Sequence, residues 1–433
     1  MTGSAWSFRG GTVVDALGAR QADVTVDGDT IVAVGDQPAE ARSIDVTGCY
    51  VLPGLVDIQV HFRTPGGEAS ETMESGAASA ALGGVTACVM MPNTDPTIDS
   101  IEVVRAVRQR AIGLPCDVVT SAAITVARQG ERLTDFEALY DAGVRIFTDD
   151  GTAVANAALM RQALAATAKL PGAVVAQHAE DPDLVGDGSL NESPVANRLG
   201  VIGRPREAEE VIVARDLILA RHTGGRYHVL HLSTAEALDL VRAARTAGVR
   251  ASAEVTPQHL LLTEHDVEAL GTSGKMNPPL RESSDTAALR EGLRDGSIDA
   301  IATDHAPHHS ESKRRPLAEA PPGMLGVETS AAVVFSHLVA SGALELQRAA
   351  DVLSTNPAAI AGLGGAAGHG GPIVVGAAAN LAVIDPEATW VVRGADLASR
   401  SDNTPWQGRE LTARVRHTVL RGRFTVRDSL LVG

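Results

Sequence analysis

The sequence predicts an α/β chain: a (β/α)8 barrel of the TIM type, carrying a small discontinuous β-sandwich domain assembled from both chain ends. Three observations lead there. Eight short apolar runs alternate with segments of helical spacing through the middle of the chain. Short alternating runs, punctuated by Gly and Pro, lie at either end. Several of the central runs stop at a metal-type ligand, as at His61, His178, His231 and Asp304, and the C-terminal ends of barrel strands are where such a fold places its chemistry.

The expected division is residues 1–52 and 368–433 for the two parts of the sandwich, with 53–367 as the barrel. In 11–35, Val24, Val26, Ile31 and Val34 alternate around an Asp27-Gly28 turn, a hairpin signal. Its partners are expected at the far end, where Ile373-Val374-Val375, Leu381-Ala382-Val383-Ile384 and 415–426 read as strands. The barrel strands are expected at 51–61, 85–92, 116–124, 143–149, 173–178, 226–231, 249–255 and 298–303. Between them, Met160, Leu164 and Ala168, or Val211, Ala214 and Ile218, repeat at helical spacing, and Gly224 and Gly248 supply stops.

Composition narrows the function. At 433 residues, 44% hydrophobic but only 3% aromatic, the core must come from Ala, Val, Leu and Ile, which suits parallel strands covered by helices. A net charge of -16 argues against nucleic acid or an anionic membrane surface as partner; a small-molecule substrate remains compatible. Cys49, Cys88 and Cys116 form no C-x-x-C pair, so neither a disulfide framework nor a thiolate metal site is expected. No run reaches the roughly 18 to 20 uncharged residues of a membrane helix, and no signal peptide is read. The expected compartment is the cytoplasm.

At the strand ends stand Gln59, His61 and Arg63; Asn93; Asp149-Asp150-Gly151; His178; His231; and Asp304 with His308 four residues on. A closed barrel brings such positions around one axis. Three histidines with two carboxylates make an N/O donor set suited to Zn or a similar divalent ion, and a carboxylate able to bridge suggests two. Each piece has an ordinary alternative: a structural histidine, a turn at Asp149-Asp150-Gly151, a helix cap at Asp304. All of them must hold together to dismiss the site. His222, His265, His337, His369 and His417 are assigned structural roles.

Taken with their neighbours, these residues form motifs: Pro53-Gly54-Leu55-Val56-Asp57 running into His61-Phe62-Arg63-Thr64-Pro65-Gly66, Met91-Pro92-Asn93-Thr94, Phe147-Thr148-Asp149-Asp150-Gly151, His231-Leu232-Ser233-Thr234, Asn277-Pro278-Pro279-Leu280-Arg281 and Thr303-Asp304-His305-Ala306-Pro307-His308. Through them the chain resembles the amidohydrolase superfamily, and within it the bacterial type I dihydroorotases, over nearly its whole length. The resemblance implies reversible cyclisation of N-carbamoyl-L-aspartate to L-dihydroorotate in pyrimidine synthesis by a metal-activated hydroxide. It implies that His61, Asp150, His178, His231 and Asp304 hold the metals, with Asp150 bridging and Asp304 also shuttling the proton. Arg63, Asn93 and His308 would bind the substrate carboxylate; Asn277 and the backbone around Pro322-Gly323 would meet the pyrimidine edge. Many relatives, hydantoinases among them, bridge their metals with a carboxylated lysine on strand four. The three lysines here, Lys169, Lys275 and Lys313, are all far from that strand end, which favours the dihydroorotase reading.

Two positions depart from the family pattern. Gln59 stands where the first histidine of His-x-His is usual, and Thr64 replaces an acid. The expected consequence of Gln59 is a first metal position that is weak, empty or taken by a harder ion, so that one or two zinc ions are bound per chain. Expected partners are a homodimer mate and aspartate transcarbamoylase. The alternatives are a catalytically silent homologue serving that transcarbamoylase as a structural subunit, and another cyclic amide hydrolase.

Overall fold

The computed structural model describes residues 5–35 and 41–432. Its centre is a ring of parallel strands: β1 (Leu55–Val60), β2 (Val85–Met90), β3 (Asp117–Thr120), β4 (Ile146–Phe147), β5 (Val174–Gln177), β6 (Tyr227–Val229), β7 (Ala251–Val255) and β8 (Ala300–Ile301). Strands β1 to β3 pair in one run and β4 to β8 in another. Two parallel bridges, Ala122 to Phe147 and Val60 to His305, join the runs. Backbone hydrogen bonds from Ala122 N to Ile146 O (3.0 Å) and from His61 N to His305 O (2.9 Å) close the circle. Each expected barrel strand has a counterpart.

The first of them differs in kind. The apolar run 51–61 was expected as one strand, but it is two. Tyr50–Pro53 pairs antiparallel with Leu381–Asp385 and parallel with Thr12–Asp15, outside the barrel. The chain changes sheets at Gly54, where an added Cβ would lie 2.2 Å from the Thr86 hydroxyl. Both segments are buried, so hydrophobicity alone shows no break.

The helices follow the local signals. Asn156 caps Ala157–Thr167, which buries Met160 and Leu164, and Gly224 in the left-handed region ends Glu207–Thr223. On that longer helix the expected stripe is the wrong one. Val211 and Ile218 are 45% and 59% exposed, while Ile212, Val213, Leu217 and Ala220 pack inward. Apolar residues occur on both faces, and spacing cannot choose between them.

The chain ends build two sheets. One orders its strands as Thr30–Val34, Val24–Asp27, Trp6–Arg9, Arg42–Asp45; the other runs from Leu430–Leu431 through Arg423–Arg427, Arg414–Leu420, Leu381–Asp385, Tyr50–Pro53 and Thr12–Asp15 to Gly18–Gln21. Phe8, Val26, Ile31, Val51, Val383 and Val419 share the core of these two sheets. Ile373-Val374-Val375, expected as a strand, is a bend and turn: the Ile373 N–H donates to Asp15 (2.7 Å), and Gly376 N to Ile31 O (2.8 Å). Gly371-Pro372 before it and Gly376 after it leave too short a run for a ladder. Among the described residues no helix is long and apolar enough to cross a membrane.

Candidate active site

Strand period two places Gln59 and His61 on one face of the end of β1, and both reach Asp150, which follows β4. Gln59 Nε2 donates to Asp150 Oδ1 at 3.1 Å, and His61 Nε2 lies 3.2 Å from Oδ2. From β5 and β6, His178 Nδ1 and His231 Nε2 approach Asp150 Oδ1 at 3.7 and 3.6 Å. Asp304, past β8, lies 2.8 Å from His61 Nε2. Two groups thus share one carboxylate: Asp150, His178 and His231, and His61, Asp150 and Asp304, each with its ligand atoms within 4.8 Å of one another.

The neighbouring Asp149 faces elsewhere. Its carboxylate accepts from the Thr125 N–H (3.0 Å) and from the Thr125 hydroxyl. Of the adjacent pair, only Asp150 meets the histidines.

Around this core a cavity of about 200 Å³ is lined by His61, Arg63, Asn93, Asp150, His178 and His231, and further by Asn277, Asp304, His308, Pro322 and Gly323. Every expected site residue lines it except Gln59, which is fully buried behind Asp150. Arg63, His231 and Asp304 have φ of 48°, 32° and 47°, conformations that non-glycine residues hold only where the surroundings impose them, as at functional sites.

The electrostatics are those of acids and imidazoles forced together. Burial opposes charge on His61, yet hydrogen bonds to Asp150 and Asp304 hold its imidazole up at about 9. His231 is likewise raised to about 9, against burial, by Asp150 and by the charge of Asp304. Asp150 itself is buried, but His231 and His61 keep it well below the usual carboxylate range. Burial, with Arg63 and Lys313 nearby, pushes His308 down to about 3, so it is neutral. Its Nε2 lies 2.7 Å from Pro322 O, which requires the single proton there.

Three further residues belong to this neighbourhood although the motifs did not single them out. Glu180 Oε2 accepts from His178 Nε2 (3.0 Å) and Arg204 Nη1 (2.7 Å); despite burial, His178 and Arg204 hold it down at about 2. This bond puts a His178 proton on Nε2 and turns Nδ1 toward His231 Nε2 (2.9 Å) and Asp150. Its position two after His178 was the available signal. Asn93, expected as a substrate residue, accepts from His61 Nδ1 through Oδ1 at 2.8 Å and so orients the ring with Nε2 toward Asp304 and Asp150. Arg128, at φ 57° in the loop after β3, donates to Asp150 O at 2.7 Å; nothing in the local sequence marks it. Lys313 donates to Gly323 O at 3.0 Å from a loop with no motif.

The chain is similar to known proteins over nearly its whole length. The Dihydro-orotase-like family matches residues 48–237. The chain is 47% identical to the dihydroorotase of Mycobacterium tuberculosis over 414 residues, 94% of this chain and 95% of that protein. It is 40% identical to the dihydroorotase of Bacillus subtilis over 429 residues, 98% and 99% of the two. Among solved structures it is similar to dihydropyrimidinase from Brevibacillus agri NCHU1002, with a TM-score of 0.86 and 26% identity, covering 99% of this chain and 96% of that one. The architecture is therefore shared across cyclic amide hydrolases, while the near-full-length identity is with one group among them: this chain belongs to the dihydroorotase family.

Proposed function

We propose that this protein is a dihydroorotase, interconverting N-carbamoyl-L-aspartate and L-dihydroorotate in pyrimidine biosynthesis. The observation that carries the reading is one buried carboxylate, Asp150, within 3.7 Å of three histidines from three strands, with Asp304 on one side. A structural subunit without chemistry has no use for such a cluster, whose desolvation costs stability.

The donor set fits a divalent metal. Gln59 Oε1 is buried beside Asp150 without a hydrogen-bond partner, and the two ligand groups have the N/O composition that zinc accepts. His178, His231 and Asp150 would hold one ion; His61, Asp304 and Asp150 the other. A bound ion lowers the pKa of water from about 15.7 to about 7 and polarises a carbonyl. We assign zinc to the His178/His231 position. Gln59 offers at best a neutral oxygen where imidazole would bind, so the His61 position is the weaker one, or takes a harder ion such as Mn or Mg.

The remaining chemistry belongs to the chain. In the hydrolytic direction Asp304 takes one proton of the attacking water and delivers it to the ring nitrogen as the amide C–N bond breaks; the water oxygen ends in the new carboxylate, and the second proton leaves to solvent. Cyclisation runs the same transfers backwards. Arg63 commits Nε to Pro307 O (3.3 Å), which leaves its terminal nitrogens for a bidentate grip on the substrate carboxylate. For His308 to join that grip, the substrate must take its Nε2 proton from Pro322 O.

With three free cysteines, the cytoplasm is the compartment we assign. The test of the activity is an assay of purified protein with each substrate and defined metal. Turnover in both directions supports the reading; no turnover of either compound at saturating zinc or manganese sinks it.

A further inference from the structure

The chain has 37 Lys and Arg together, and three of them are lysines. Two of those three, Lys275 and Lys313, are buried, at 4% and 7% exposure. Among the described residues neither has a carboxylate partner. Both spend their ammonium groups on backbone carbonyls of one loop: Lys275 Nζ on Leu317 O (2.7 Å) and Ala318 O (3.2 Å), Lys313 Nζ on Pro321 O and Gly323 O (3.0 Å each). Burying an unpaired cation is costly, and this chain does it twice at one place.

That loop is the wall of the cavity formed by Pro322 and Gly323. Its other polar groups are also taken: Gly323 N donates to Lys275 O (2.8 Å), Asn403 Nδ2 donates to Gly323 O (3.1 Å), and His308 Nε2 to Pro322 O. Gly323, at φ 137°, could not carry a Cβ, which would lie 2.7 Å from Ala306 and 2.8 Å from His308. The wall thus has both backbone polar groups at Gly323 engaged within the protein. It acts by shape, and shape must be held.

We propose that Lys275 and Lys313 are positioning residues for substrate binding: they fasten the 317–323 wall against the site, and so set the affinity for the substrate without touching the reacting atoms. Two features make lysine suitable. A single nitrogen can converge on two carbonyls, where a planar guanidinium fork would splay them. Burial pushes Lys313 down to about 7, yet either protonation state supplies the two N–H groups that Pro321 and Gly323 use, so the fastening does not need the charge. Lys275 also stands two residues before Asn277, another lining residue of the cavity.

The proposal rests on the dihydroorotase reading for its kinetic arm and on the loop alone for its second. In Lys313→Met, which keeps the stem and removes the donors, KM for dihydroorotate should rise about tenfold, the size expected for the loss of its two hydrogen bonds, with kcat and metal content unchanged. Hydrogen exchange at Glu319, Ala320 and Gly323 should accelerate in the same variant without substrate. Should Lys313→Met fail to fold, Lys275→Met carries the same readouts. Unchanged KM with a lowered melting temperature would show a purely structural role and overturn the proposal, as would a fall in kcat with constant KM. If the wild type turns over neither compound, the activity reading fails and exchange decides the loop: faster exchange in the variant upholds the fastening, and unchanged exchange removes it.

Discussion

Gln59 donates its side-chain amide to Asp150 Oδ1 at 3.1 Å, with both side chains fully buried. The same oxygen faces His178 and His231, while Oδ2 faces His61. The glutamine therefore presents a proton to the Asp150 carboxylate, turning a donor toward it where a metal ligand would need a lone pair.

From this contact an unequal metal pair is expected. After dialysis against a mild chelator, the wild type should retain metal at the His178/His231 position and lose it at the His61/Asp304 position; Gln59→His should raise retention at the second. Metal analysis per chain, with anomalous scattering at each position, reads this directly. Two fully retained zinc ions in the wild type, one of them ligated by Gln59, would overturn it.

Glu180 holds the His178 tautomer through a 3.0 Å hydrogen bond. Glu180→Gln keeps the shape but weakens that acceptor, and metal affinity should fall about 10- to 100-fold. Competition with a chromophoric chelator measures the change; unaltered affinity would reduce Glu180 to a partner of Arg204.

Arg63→Lys keeps the charge and loses the fork. The loss should appear mainly in kcat/KM, by about 100-fold given the strength of bidentate charge-assisted bonds. Near-unchanged kinetics would take Arg63 out of carboxylate recognition.

Asp304→Asn retains an oxygen beside His61 but cannot carry a proton. Turnover should fall by about 100-fold or more in both directions, with the fold intact by circular dichroism. A variant that keeps its metal and most of its rate would assign the proton transfer to another group.

Stability should depend on pH through Glu328, which lies away from the metal ligands. Burial raises its carboxyl from the usual 4.5 to about 7, despite hydrogen bonds from the Ala398 N–H and the Ser79 hydroxyl. Between pH 4.5 and about 7 the folded state keeps a proton that the unfolded chain has released, so its contribution falls as pH rises through that window. Glu328→Gln should flatten this part of the melting temperature against pH curve and raise stability at pH above about 7. Identical slopes in wild type and variant would show that Glu328 does not titrate there.

By itself the sequence determined the eight-stranded ring, the β-rich ends and the strand-end ligand types of the candidate site, but not Glu180, Arg128 or Lys313 beside them. Apolar period, turn residues and ligand types are local properties, and His61, His178, His231 and Asp304 each end a run that is legible without its neighbours. Tertiary structure decided what depends on direction and distance. Asp150 rather than Asp149 meets the histidines because Thr125, from another strand end, binds the first carboxylate. The run 51–61 divides at Gly54, where the missing Cβ leaves room for Thr86, and both halves are buried, in different sheets. Lys313 and Asn403 reach the same Gly323 carbonyl across 10 and 80 residues. No spacing rule shows such a meeting: a side chain's partner is set by where the folded backbone points it, and the cost of burying its polar groups is offset only once that partner is in place.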